Sequence, residues 1–303
     1  MNAIISTAKS TAPASSINAR AATPKKTPPR LIEVVHIENP HPEIKRVIFS
    51  GNALKGFPSD MNGSHIKLFF PKPHQKEPRL PTLGPNGPIW PSALERPITR
   101  TYTVRYYDPL RNENAIDFAW HSCEETGHHF DSLGPAGRWL LQAKKGQRIG
   151  LAGPGGPDPL IQPAKHQLFV GDTSALGALW ALTETPTISE QMIYLVANHP
   201  ATFESANNTV KCFAPSQYPT LASLYEDLLN ELQADLETKN ISAESDFSAF
   251  IAGENELVLR IRNHLKQQYG LTKKRMYAIP YWRYGQNEEA YHQTRHDIMD
   301  EVY

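Results

Sequence analysis

His166–Glu184 reads HQLFVGDTSALGALWALTE: a strand-forming run stops at Gly171, and Asp172 or Thr173 is placed to cap the apolar helix that follows. The same grammar repeats downstream. QMIYLVA, VKCFAP then LASLYEDLLNEL, FSAFIAGE then NELVLRIRNHLKQQYG, and RMYAIPYW alternate strand with helix up to Trp282. Such alternation predicts a parallel, doubly wound sheet, whose ligands bind at the carboxyl ends of the strands. The helix opening near Thr173 would offer free N–H groups and the positive end of a helix dipole to a phosphate there. A capped helix with no ligand fits the same residues.

Upstream the pattern differs. Between Leu31 and Gly153 six strand-like runs lie close together: LIEVVHI, IKRVIFSG, HIKLFF, TRTYTVRYY, AIDFAWH and QRIGLAG. Short antiparallel strands in this number predict a small closed barrel. The proline-rich insert from Pro71 to Pro97 is expected to hold no regular secondary structure. One helical stretch, RWLLQAKK, follows the turn LGPAG, so an anion could sit at its N-terminus. The glycines of GLAGPGG (Gly150, Gly153, Gly155, Gly156) do not make a dinucleotide fingerprint, because Pro157 and Pro159 follow and no helix begins. They are expected to form an interdomain turn, with the boundary between Gly153 and Pro163. In RTYTVR, Arg100, Tyr102 and Val104 share one face of a strand, and Thr101, Thr103 and Arg105 the other. An aromatic beside a fixed cation suits a flat ring and a phosphate, and it equally suits an ordinary barrel strand.

The 303 residues suit two hydrophobic cores. Lys plus Arg and Asp plus Glu each total 31, so no net field draws the chain to nucleic acid or to an anionic membrane. No apolar run approaches the ~18 residues of a membrane span. Two cysteines, Cys123 and Cys212, are too few for a cysteine-ligated cluster or a disulfide framework. No metal site is expected either, since the spacing of His121, Cys123, His128 and His129 fits no standard ligand pattern. Residues 1–29, rich in Ala, Ser, Thr, Pro and Lys, read as a disordered leader with no export signal, and a cytoplasmic location follows. The segment 286–303 is compatible with an amphipathic helical tail.

SHIKLFFP, RTYTVRYYD, DFAWH, GPAGRW, GDTSALGAL, AGE and YWRYGQNEEAY occur in that order, and together they resemble the siderophore-interacting protein family of ferric-siderophore reductases. The most specific element is the pairing of R-x-Y-T with a distant Y-W-R-x-G. The resemblance implies a six-stranded antiparallel FAD-binding barrel over 30–157. A Rossmann-like parallel-sheet domain binding NADH or NADPH would occupy 158–285. On that reading Arg100, Thr101, Tyr102 and Thr103 hold FAD: Arg100 at the phosphates, Tyr102 flanking the isoalloxazine, Thr103 near flavin N5. Asp117 and His121 match FAD positions on the next strand, and Ala136, Gly137 and Trp139 match the turn that receives the pyrophosphate. Gly171, Asp172, Thr173, Ala175 and Leu176, with Ala252, Gly253 and Glu254, match the NAD(P)H cleft; Ser174 stands where many relatives carry an acidic residue. Tyr281, Trp282 and Arg283 fall near the flavin, and Lys67, Arg138 and Arg283 are the cations chosen to meet an anionic ferric siderophore.

The implied chemistry is a relay: hydride from NAD(P)H reaches FAD, and electrons pass singly to siderophore-bound Fe(III). The alternatives are a siderophore-binding carrier with little turnover, or a general diaphorase or ferredoxin-type reductase whose partner is a redox protein.

Overall fold

The computed structural model describes residues 27–120, 133–204, 207–286 and 291. Most of the expected leader, His121 with its neighbouring Cys123, His128 and His129, and most of the expected tail lie outside the described residues.

The N-terminal half is one antiparallel sheet. Its strands β1 (Arg30–His41), β2 (Ile44–Ser50) and β3 (His65–Phe70) precede a small hairpin, β4 (Thr82–Gly84) with β5 (Gly87–Ile89). Then follow β6 (Ile98–Thr103), β7 (Tyr106–Asp108), β8 (Glu113–Ala119), helix α1 (Pro135–Gln142) and β9 (Arg148–Gly155). The spatial order is β6-β3-β9-β1-β2-β8-β7, a seven-stranded sheet. The expected count of six differs because TRTYTVRYY is two strands. The break closes the barrel: Val104 N donates to Ser64 O on one side (2.9 Å), and Arg105 N donates to Ala115 O on the other (2.9 Å). The chain therefore changes pairing partner at this bend, as a sheet curling onto itself requires.

Two further expectations are corrected. The Pro71–Pro97 insert does contain regular structure, the hairpin, with Thr82 opposite Ile89 and Gly84 opposite Gly87. A two-stranded ribbon has free edges, so Pro88 breaks no ladder. The Gly153–Pro163 segment is not wholly a turn either, because β9 runs on to Gly155. Past Leu151 that strand pairs only with β3, no longer with β1, which leaves room for the amide-less Pro154.

The C-terminal half is the parallel sheet read from the alternation. β10 (His166–Asp172), β11 (Glu190–Val196), β12 (Asn208–Phe213), β13 (Phe247–Glu254) and β14 (Met276–Trp282) stand in the order β12-β11-β10-β13-β14. Helix α2 (Leu176–Thr183) covers one face; α3 (Leu221–Thr238) and α4 (Asn255–Tyr269) cover the other. Period-two alternation splits each strand between two cores: Leu168, Val170, Ala249 and Ile251 face α3 and α4, while Phe169, Phe250 and Ala252 face α2. Thr220 caps α3 through a capping box with Ser223, and Gly270, at φ 64°, ends α4 in the left-handed conformation.

The halves share apolar surface. On β2, Val47 and Phe49 point into the barrel, so the alternate residues Ile44 and Arg46 point outward. Ile44, 1% exposed, belongs to the α2-side core of the second half.

A cleft between the barrel and the parallel sheet

A cleft of about 660 Å³ opens between the halves. Lys67, Arg100, Thr101, Tyr102 and Thr103 of the barrel line it, with Thr173, Ser174, Tyr281 and Trp282 of the other half. Its barrel wall follows from the pairing of β3 with β6, which sets His65 opposite Thr103 and Lys67 opposite Thr101. Lys67 Nζ donates to Thr101 Oγ1 at 2.5 Å. Tyr102 is half-buried, its ring 4.5 Å from that of Phe118 at the end of the barrel core. Thr103 and Tyr281 share a side-chain hydrogen bond across the cleft, and burial pushes the Tyr281 hydroxyl up to about 12. The R-x-Y-T strand and the Y-W-R segment thus meet in space.

Behind the cleft the barrel grips α2. Arg46 and Asp117, opposite each other on β2 and β8, form a bidentate pair: Nε to Oδ1 at 2.6 Å, Nη2 to Oδ2 at 2.9 Å. Burial pushes the Asp117 carboxyl up, and Arg46 with Arg105 opposes that shift. Arg105 reaches across to both oxygens of Glu184, just after α2, at 2.5 and 2.6 Å. Both guanidinium groups lie over the ring of Trp180, at 5.6 and 5.8 Å. Asp117 lines the cleft, but its charge is committed to this interdomain network. Farther along, Glu43 accepts from the His199 amide at 3.0 Å, and His41 Nε2 lies 3.1 Å from His199 O. These contacts add to the Thr103–Tyr281 hydrogen bond in holding the second half against the barrel.

The carboxyl edge of the parallel sheet is bound together by two acids. Asp172 accepts at Oδ1 from the amide (2.8 Å) and hydroxyl of Ser174, and at Oδ2 from Glu254 N (2.7 Å) and Trp282 Nε1 (2.8 Å). Burial pushes this carboxyl up, and those donors pull it back. Gly253, at φ 134°, lies so near that a Cβ there would stand 2.8 Å from the Asp172 carboxyl carbon. Glu254 caps α4 by accepting from Glu256 N (2.6 Å) and Leu257 N (3.3 Å), and it accepts from Tyr284 N at 3.2 Å.

The structure gathers some of the expected residues and disperses others. Arg100–Thr103, Asp117, Lys67, Thr173, Tyr281 and Trp282 line one cleft. Gly171, Ala175, Leu176 and Ala252 pack beneath it: a Cβ on Gly171 would stand 3.0 Å from Ala252 O, so their part is close backbone approach. Trp139 points into the barrel core, its ring 5.4 Å from Phe70 and 6.0 Å from Phe118, and only the first turn of α1, with Ala136 and Gly137, is left for a ligand. That turn has no side-chain cap. Arg138 Nη1 donates to Leu133 O. Arg283 is exposed beside Trp282. Sequence reasoning missed His65 and Arg46, and it placed Arg105 on the Thr101–Thr103 face, whereas β6 ends at Thr103 and Arg105 turns to pair with Ala115 instead. His65 sits two residues before Lys67 on the same strand face, a period-two signal that was legible; Arg46 carried none.

Among the described residues no helix is long and apolar enough to cross a membrane, and no cluster of His, Cys, Asp and Glu is arranged to hold a metal ion. The cleft volume lies in the range of cofactor sites, and its lining, with aromatic rings, the cations Lys67 and Arg100 and several hydroxyls among apolar side chains, suits a flavin.

A closed antiparallel barrel joined to a 3-2-1-4-5 parallel sheet, with a cleft between R-x-Y-T and the last strand, defines a flavin and nicotinamide reductase of the ferredoxin-reductase type. Among solved structures, ferredoxin NADP+ reductase from Neisseria gonorrhoeae shares the fold (TM-score 0.58, 13% identity, 85% of this chain and 100% of that one). SipS, the siderophore-interacting protein from Aeromonas hydrophila, is nearer: TM-score 0.70, 31% identity, 90% of this chain and 98% of that one. The profile of the siderophore-interacting FAD-binding domain matches residues 33–158, and that of the siderophore-interacting protein matches residues 164–285. The chain belongs to the siderophore-interacting protein family. Ferric vibriobactin reductase ViuB of Vibrio cholerae is 38% identical over 288 residues, 91% of this chain and 97% of that protein. The NADPH-dependent ferric-chelate reductase of Escherichia coli is 36% identical over 156 residues, 52% of this chain and 56% of that protein.

Proposed function

We propose that this protein is a cytoplasmic ferric-siderophore reductase that uses FAD to pass electrons from NADH or NADPH to siderophore-bound Fe(III), releasing Fe(II). The observation that carries the reading is the meeting of Arg100–Thr103 with Tyr281 and Trp282 around one cleft. FAD supplies the conversion of a two-electron hydride into single electrons. Arg100 offers its guanidinium to the FAD phosphates, with the uncapped first turn of α1 at Ala136 and Gly137 as a second anion site. Tyr102, braced on Phe118, gives a flat wall for a ring. Thr103 and Tyr281 place hydroxyls on the opposite side, and their mutual hydrogen bond keeps the two halves in register. Thr173 and Ser174 bring the start of the α2 segment to the nucleotide side.

Lys67, at the cleft wall, and Arg283, exposed next to Trp282, supply positive charge toward an anionic chelate despite the zero net charge. The iron is substrate, carried by its own chelator, so the protein need not ligate it. Siderophore-interacting relatives bearing the names ferric vibriobactin reductase and ferric-chelate reductase support this reading.

The test is an anaerobic titration of the FAD-loaded protein with NADH and with NADPH, followed by a ferric siderophore and a ferrous trap. Flavin bleaching that recovers as Fe(II) appears supports the proposal and names the better donor. Chelate binding without nucleotide oxidation would instead make the protein a carrier. Bleaching by reduced ferredoxin alone would replace the nucleotide with a redox-protein partner.

A further inference from the structure

The two acids at the carboxyl edge of the parallel sheet are buried, Asp172 5% and Glu254 4% exposed, and both oxygens of each already accept from protein donors. An ionised carboxylate has about four lone-pair sites, and Asp172 uses them on the Ser174 amide and hydroxyl, Glu254 N and Trp282 Nε1. Glu254 is occupied by the first amides of α4, by Tyr225 and by Tyr284 N. Its charge already sits at the positive end of that helix, where a phosphate would otherwise bind. What both acids do hold is the end of β14. Asp172 takes the indole N–H of Trp282, and Glu254 takes the amide of Tyr284, so Arg283 stands between two pinned residues. The chain turns beyond at Gly285, φ 75°, where Gln286 N donates to Arg283 O at 3.1 Å. Trp282 lines the cleft and keeps 38% of its surface exposed; the Arg283 side chain has no ion pair or hydrogen bond among the described residues.

We infer that Asp172 and Glu254 are positioning residues for the electron acceptor, clamping the Trp282–Tyr284 turn so that the indole forms a fixed wall where the ferric chelate docks, rather than ligands of the nicotinamide nucleotide. The inference rests on the reading of the cleft as a flavin site. It explains why Gly253 carries no Cβ: any side chain there would displace the Asp172 carboxylate.

The test separates acceptor binding from donor binding. Ferric-chelate affinity of the oxidised, FAD-loaded protein is measured by quenching of intrinsic fluorescence, with a ferric tris-catecholate as probe and no electron donor present. The rate of flavin bleaching by NADH and NADPH is measured separately by stopped flow. Trp282→Phe keeps the ring and deletes the donor; Asp172→Ala deletes the acceptor. Each variant is expected to weaken chelate binding about tenfold, the size of one lost charge-assisted hydrogen bond. The double variant should be no weaker than the worse single one, and in Trp282→Phe, which leaves the Asp172–Ser174 contacts in place, the nucleotide concentration giving half-maximal bleaching should stay within about twofold of the parent. Because Asp172→Ala risks loss of folding, Trp282→Phe decides alone if that variant fails to load FAD. Weakened nucleotide use with unchanged chelate affinity, or a Trp282→Phe variant that binds chelate like the parent, overturns the inference. A parent protein that takes up no FAD or yields no Fe(II) overturns the reductase reading instead.

Discussion

Gly177 of α2 sits against Asp117 of β8 so closely that a Cβ on the glycine would stand 2.9 Å from the aspartate Cβ. This contact joins the barrel to the parallel-sheet half at the wall of the cleft, and it explains a glycine inside a helix that is apolar up to Thr183.

Gly177→Ala should therefore drive a wedge into the domain interface. Overpacking of this kind costs about 1–3 kcal/mol. Denaturant unfolding followed by flavin absorbance should show a lower midpoint for FAD release in the variant.

Asp117→Ala should cost more. The Arg46 side chain is only 12% exposed, and it would lose its bidentate partner while Arg105 loses a second neighbour. Removing one partner of a buried pair destabilises by about 3–5 kcal/mol, and the loss here should fall toward the lower end because Arg46 keeps Glu38 at 3.5 Å and Arg105 keeps Glu184. Urea unfolding monitored by far-ultraviolet circular dichroism checks the figure, and double variants with Arg46→Met should recover part of the loss.

Arg100→Ala should weaken FAD binding by about tenfold to a hundredfold, the range of one lost hydrogen bond to a charged group. Equilibrium dialysis of the deflavinated protein against FAD measures it. Unchanged affinity would remove Arg100 from the phosphate site.

His264 on α4 gives a pH prediction. Burial holds its imidazole below the ordinary 6.5, and its Nε2 has no hydrogen-bond partner. The unfolded chain takes up a proton near 6.5 while the folded chain resists, so stability present above that pH is lost as pH falls through it. Calorimetry of the parent should show Tm falling between neutral pH and pH ~5.5, and His264→Leu should flatten that fall.

The secondary structure was legible because each strand and helix carries its own periodicity. β10 alternates cores and α4 ends on a glycine; these are local properties of consecutive residues. Where reading failed, the missing information was relational. The break at Val104–Arg105 has no turn residue to announce it, since the chain bends there to change partners within a closing sheet. In Pro71–Pro97 proline content hid a hairpin, because a ribbon with free edges tolerates what a central strand does not.

The resemblance carried by R-x-Y-T and Y-W-R pointed to the two walls of the cleft, while the residues of R-x-Y-T by themselves fitted a flat ring and an anion as well as an ordinary barrel strand. Which atoms of those motifs remain available was settled only by folding. Asp172 and Glu254 look in sequence like groups waiting for a ligand, yet both are buried and accept from donors that β13, β14, α4 and the turn after β14 bring to them. Asp117 likewise is drawn to Arg46 by strand register and to Arg105 by barrel closure. By itself the sequence determined the order of elements, the two-domain division and the residue types at the cleft, because those follow from local pattern and recurring motif. The tertiary structure decided which charges neutralise one another and which face the cleft, because hydrogen-bond capacity is spent on whichever donors the fold brings within about 3 Å.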